Sequence, residues 1–282
     1  MRNLKNEIKM AVFGKGMLFV IFLSVCFSFV LLNFYYDISF VKTYIKPWSG
    51  YDRGQYSGLF VGTITRWTFF TATPYYIYAI YLMPVIAIIP YGSRVFFERR
   101  SGNIKNSLIR ESRLSYGIKK YIATFISGGL AVMTPPAISL ASTYAVKGIV
   151  KASPATTTLV NPDWFHYLLF THSWLYVLLA LFTWFVYGGL LVSISMLFSL
   201  VFDSLLTIVA SPLFIYLIVS YIERDISFGN ERWRRTLYQY LPRQILNPLE
   251  RGETMLGLGI FAGLSLVNFI IYILVVRRQE VY

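Results

Sequence analysis

The sequence predicts an all-α, polytopic integral membrane protein of six transmembrane helices with short amphipathic interfacial helices. Three observations lead there. Hydrophobic residues fill 56% of the 282 positions and charged residues only 14%, where an average soluble protein carries about 25% charged. Six apolar stretches approach or exceed the roughly 20 residues a helix needs to cross a hydrocarbon core of about 30 Å. They are continuously apolar rather than alternating, which excludes barrel strands and leaves helices as the spanning element.

The first span is expected near 16–36. Lys5, Lys9 and Lys15 precede it as they would in a signal peptide, but the run ends in "NFYYD" without small residues for a peptidase to cut. An uncleaved span is therefore expected. Within the preceding 1–15 segment, Leu4, Ile8 and Val12 (with Ala11) share one face and Lys5 and Lys9 lie off it. That is the spacing of an amphipathic helix on the inner leaflet. A loop rich in Tyr, Trp and Gly, about 37–74, leads to a second span near 75–92. Further spans are expected near 120–145, 168–200, 204–222 and 255–276. Pro84, Pro90, Pro135, Pro136 and Pro212 fall within these runs and predict kinks or broken helices. In the 223–254 segment, "GNERWRRTLYQYLPRQILNP" reads as a second surface helix, here extracytoplasmic. Asn230 caps it, Trp233, Leu237 and Leu241 stack along one face, and Pro242 ends it.

A cytoplasmic N-terminus and six spans put both termini inside, with 14 Lys/Arg on the inner side against 12 outside. Splitting the fourth run, residues 167–202, into two spans would give 18 against 8, which the positive-inside rule favours. Yet "SWLYVLLALFTWFVYGGLLVSISMLFSL" contains no polar turn. One long helix is expected. The excess of 26 Lys+Arg over 13 Asp+Glu comes without any RNA- or DNA-binding signature, so anionic membrane lipids are the expected partner and nucleic acid is not. Cys26, alone in an apolar run, has no cysteine to pair with in the chain.

No catalytic constellation emerges. The phosphate-loop pattern is missing, and "GKG" at Gly14–Gly16 is far too short to stand in for it. His166 and His172 lie six residues apart near Asp163. That spacing would set them about 120° apart around a helix, unlike a metal pair. They read as interfacial polar residues, and no metal site is expected. Asp203, in "FDSLL", reads as a helix N-cap in a tight turn. Gly128–Gly129, Gly188–Gly189 and Gly259-x-x-x-Gly263 offer places for close helix contact.

The densest charge is in "FFERRSGNIKNSLIRESRLSYGIKKY". Between Arg94 and Lys120 stand eight Lys or Arg and two Glu. In the expected topology this 94–119 segment is cytoplasmic. Gly102 loosens the chain after Glu98-Arg99-Arg100; Ile104 and Leu108 then recur at i, i+4, as do Leu114 and Ile118. Such a helix can lie on anionic lipid, each basic residue contributing about 1 kcal/mol near the surface. Equally, it can dock a soluble partner. The residues alone leave both open.

The stretch continuing to "YIATFI" resembles the segment after the second span of type-2 ABC exporter permeases. There an E-[RK]-x-x-G pattern precedes a short coupling helix and the third span. Glu98, Arg99, Gly102 and Ile104 through Leu108 match, with Lys119–Lys120 opening the third span. The amphipathic N-terminal helix, the six spans, the polar region before the last span and the "VVRRQEVY" ending are similar too. The long first outer loop and the long fourth run depart from the family's layout. The resemblance implies a permease subunit of an ATP-driven exporter, without enzymatic activity or cofactor of its own. It would pair with a second copy or a paralogue, and separate ABC ATPase subunits holding ATP and Mg would bind below. Glu98, Arg99, Arg100, Gly102, Ile104, Lys105 and Leu108 would then form the ATPase-coupling surface. Aromatic-rich outer loops and an apolar pathway suit an amphipathic peptide, a lipid or a hydrophobic compound as substrate. The alternative is a non-transporting accessory or immunity protein that binds lipid or a partner through the same basic segment.

Overall fold

The apolar runs fold as helices in a computed structural model of the chain, which describes residues 4–36, 67, 74–102, 109, 111–148, 168–169, 171–228, 246 and 254–278. In chain order the helices are α1 (Leu4–Val12), α2 (Lys15–Tyr36), α3 (Pro74–Ile88), α4 (Arg94–Arg100), α5 (Arg113–Lys147), α6 (Ser173–Val201), α7 (Leu205–Phe228) and α8 (Thr254–Arg278). Among the described residues every regular element is a helix. Five stretches are long and apolar enough to cross a membrane: Leu4–Phe29, Arg113–Val146, Ser173–Val201, Leu205–Ile222 and Met255–Arg278. The second expected span is not among them. With 15 residues, α3 reaches only about 22 Å. The chain is all-α and membrane-embedded in character, with five helices of spanning length.

Helices α5 and α6 form the centre, and α2, α3 and α8 each pack on at least one of them. Glycines permit the central contact. A Cβ on Gly188 would stand 2.6 Å from the Gly128 carbonyl oxygen, and one on Gly129 would stand 2.7 Å from that of Phe185. Backbone cannot yield as a side chain can, so these positions require glycine. By contrast, nothing lies within 4 Å of where side chains would begin on Gly259 and Gly263. The Gly-x-x-x-Gly pair meets no neighbour among the described residues.

The fourth apolar run is one continuous helix, α6, of 29 residues. A three-residue turn, 202–204, joins it to α7. Asp203 lies in that turn as expected, but the cap position is Ser204, whose carbonyl accepts from Ile208 N at 3.2 Å. Helices α3, α5 and α7 run on through Pro84, Pro135–Pro136 and Pro212, so these prolines break no helix, while Pro90 stands in the turn after α3. At Pro212 the reason is visible. Proline has no N–H to give the Ile208 carbonyl four residues back. Ser195 Oγ of α6 donates to that carbonyl at 2.8 Å, and Ser211 Oγ does so at 2.9 Å. In lipid this replacement is what makes the proline tolerable.

Three other features differ from expectation or lie beyond it. Helix α5 begins at Arg113 rather than near 120, because Ser112 caps it, its side chain accepting from Ser115 N at 3.3 Å. Leu114 and Ile118 therefore belong to the first turns of α5 itself. Between α2 and α3 only Trp67 is described; it is buried, and its indole N–H donates to the Pro136 carbonyl at 3.0 Å. The second surface helix expected at 230–242 and the C-terminal residues 279–282 lie outside the described residues.

Candidate functional site

One end of the bundle holds a charge cluster assembled from four pieces of chain. Helix α1 stops at Val12, and the "GKG" step starts α2 in a new direction. A Cβ on Gly16 would meet the Ile89 carbonyl oxygen at 2.6 Å, so glycine is what lets α2 start against the 89–93 turn. The turn brings Tyr91 under α1, where Tyr91, Ala11 and Ala123 bury one another. Helix α4 then carries Arg94 and Glu98 past the first turns of α5, which present Tyr116 and Lys120.

Lys120 is the centre. It is 2% exposed, and with Glu7 it makes the only buried charged pair among the described residues. Its Nζ donates to Glu7 Oε2 at 2.9 Å, to Glu98 Oε1 at 2.8 Å and to the Tyr91 hydroxyl at 3.1 Å. Three partners match the three protons of an ammonium. The rings of Tyr91 and Tyr116 each present a face 5.5 Å from Nζ, close enough to add cation–π attraction. Around this core, Tyr91 donates to Glu7 Oε2, Tyr116 donates to Glu98 Oε2 at 2.6 Å, and Arg94 Nε donates to Glu98 Oε1 at 3.0 Å. A neighbouring pair, Lys119 with Glu111, ties the start of α5 to the residue before its cap.

Burial by itself would raise the Glu98 carboxyl, but the hydrogen bonds from Lys120 and Tyr116 outweigh it and hold the group below its ordinary value. Burial, followed by the hydrogen bond to the Glu7 carboxylate, pushes the Tyr91 hydroxyl far above its usual range. Tyr91 therefore stays a proton donor to carboxylate. Two carboxylates, one buried ammonium and the Arg94 guanidinium at the rim balance in charge. Such clusters cost much desolvation, yet removing one partner of a buried pair typically destabilises by about 3–5 kcal/mol. Helix α1 also packs apolar surface: Ala11 is covered, and Leu4, Ile8, Met10 and Val12 are half-buried. The charge pair and these apolar contacts together seat α1.

The expected coupling residues divide. Glu98 is in the cluster. Arg100 is exposed at the end of α4, and Arg99 is on the same helix. Gly102 takes φ +71°, a left-handed conformation that ends the helix rather than loosening it. Ile104, Lys105 and Leu108 lie outside the described residues, as do Asp163 and His166. His172 stands exposed at the cap position of α6 and makes no side-chain capping bond. Sequence reasoning overlooked Glu7, Tyr91, Arg94 and Tyr116. A signal existed for Glu7: it shares the 4, 7, 8, 11 stripe with the apolar residues of α1, so a charge sits on the inward face. No protein-family model matches the chain, and no curated protein matches it in sequence.

Proposed function

We propose that the chain is the transmembrane subunit of an ATP-driven ABC exporter, its six spans placing both termini and the 94–119 segment in the cytoplasm of a cell-membrane protein. Two permease subunits, identical or related, form the pathway, and separate ATPase subunits bind below. Closure of the ATPases on nucleotide presses on the segment that includes Glu98, Arg99, Arg100, Gly102, Ile104, Lys105 and Leu108. The observation that carries the reading is the Lys120 cluster. It joins α4, from which that segment leaves, to α5 and α1 through charge-assisted bonds from Lys120 to Glu98 and Glu7. A push delivered at the segment then moves whole helices instead of bending a loop, and this is what coupling to a motor requires.

Charge reversal at the helix end tests it. The R99E/R100E double variant is expected to lose co-purification of the ATPase and its stimulated ATP hydrolysis, while the membrane subunit itself still folds. Association and hydrolysis at wild-type levels in that variant would remove the coupling role.

A further inference from the structure

Helix α1 has nine residues, and Ala11 is its one buried apolar residue. It joins α2 through Phe13 and Gly14, which belong to neither helix, and Phe13 is 76% exposed. Leu4, Ile8, Met10 and Val12 are half-buried, and among the described residues Glu7 is the one fully buried charge that α1 brings to its seat. The Glu7 carboxylate, however, does not have Lys120 to itself. Both Glu7 Oε2 and Glu98 Oε1 contact the same nitrogen, at 2.9 and 2.8 Å, so the two acidic oxygens are no more than about 6 Å apart. At that range like charges oppose each other directly. Arg94, with its side chain 39% exposed, is the rim cation that offsets Glu98. Tyr91 and Tyr116 face the cluster as neutral donors.

We propose that α1 is a releasable arm and that α4 sets how tightly it docks, because Glu98 competes with Glu7 for the Lys120 ammonium. Withdrawing Glu98 leaves the whole ammonium to Glu7 and tightens α1. Pressing Glu98 in, or removing Arg94 from its side, loosens it. Movement of the basic segment is thereby communicated to the N-terminus of the chain, and Lys120 acts as a positioning residue between the two. The device requires no ATPase to be seen, so its test is separate from that of the exporter reading.

Hydrogen–deuterium exchange of α1 amides, in the full chain reconstituted in nanodiscs, reads the docking directly. E7Q is expected to speed α1 exchange at least about tenfold, and E98Q to slow it about threefold or more. Unchanged exchange in α6 marks each variant as folded. A cluster that is only structural would loosen with either substitution, so the opposite signs are the discriminating result. Faster or unchanged α1 exchange in E98Q overturns the proposal, as does unchanged exchange in E7Q. Should E98Q fail to fold, E98A decides instead. It too removes the competing carboxylate, and α1 exchange is expected to fall; a rise or no change overturns the proposal.

Discussion

Lys120 occupies a position on α5 that an apolar residue would fill at lower desolvation cost, and its three hydrogen bonds explain why it is retained there charged. K120M would leave Glu7 and Glu98 facing each other without that ammonium. We expect it to lower stability by about 3–5 kcal/mol in thermal or denaturant unfolding of the purified protein. Adding E7Q should restore part of the loss, as a double-mutant cycle would read. The pH dependence has a definite sign. The Glu98 carboxyl is held low in the fold by its donors, so its contribution is fully present above the ordinary carboxylate pKa of about 4. It is lost as pH falls through the depressed folded value. Melting temperature measured from about pH 7 down to about pH 3 should fall more steeply for the wild type than for E98Q. Little of this cluster was legible beforehand. Glu98 stood out through its motif and Lys120 through its place at the head of the third span. Glu7 did not, because a glutamate among lysines on an amphipathic helix ordinarily faces water, and its partner lies 113 residues away.

Among elements, the long spans were legible because continuous apolar length has one solution in lipid. Helix α6 stayed whole because it holds no charged residue, proline or polar turn to break it. What the pattern did not disclose was how prolines and glycines would be used. Pro212 predicts a break in isolation, but the hydroxyls of Ser195 and Ser211 supply the missing donors, and the Ser195 bond exists only once α6 and α7 lie together. S195A should therefore cost about 0.5–1.5 kcal/mol, measurable as a drop in unfolding midpoint. The glycine pairs looked equivalent in sequence and are not. G188L drives a side chain into the Gly128 carbonyl, and we expect about 1–3 kcal/mol of overpacking or outright failure to fold. G259L, with open space around it, should stay within about 0.5 kcal/mol. Equal losses at both positions would show that the α5–α6 crossing is not the close contact described.

At the scale of the whole molecule, the functional reading is that of a membrane subunit moved by a separate motor. The proposed six-span arrangement makes one prediction independent of any partner. On a C26S background, K9C and R278C should both react with a membrane-impermeant thiol reagent only from the cytoplasmic side. Labelling from opposite sides would mean an odd number of crossings. Composition made the membrane class legible, whereas the proposed function rests on a single motif whose residues Ile104 to Leu108 are outside the described residues. The most direct measurement of the central claim is affinity purification of the tagged chain from its native membranes, followed by identification of bound subunits and an ATPase assay. The account predicts a soluble subunit with a phosphate loop in stoichiometric amount and ATP hydrolysis that the R99E/R100E variant loses. A chain that purifies with no ATPase and supports no hydrolysis would contradict it and point to the non-transporting accessory role.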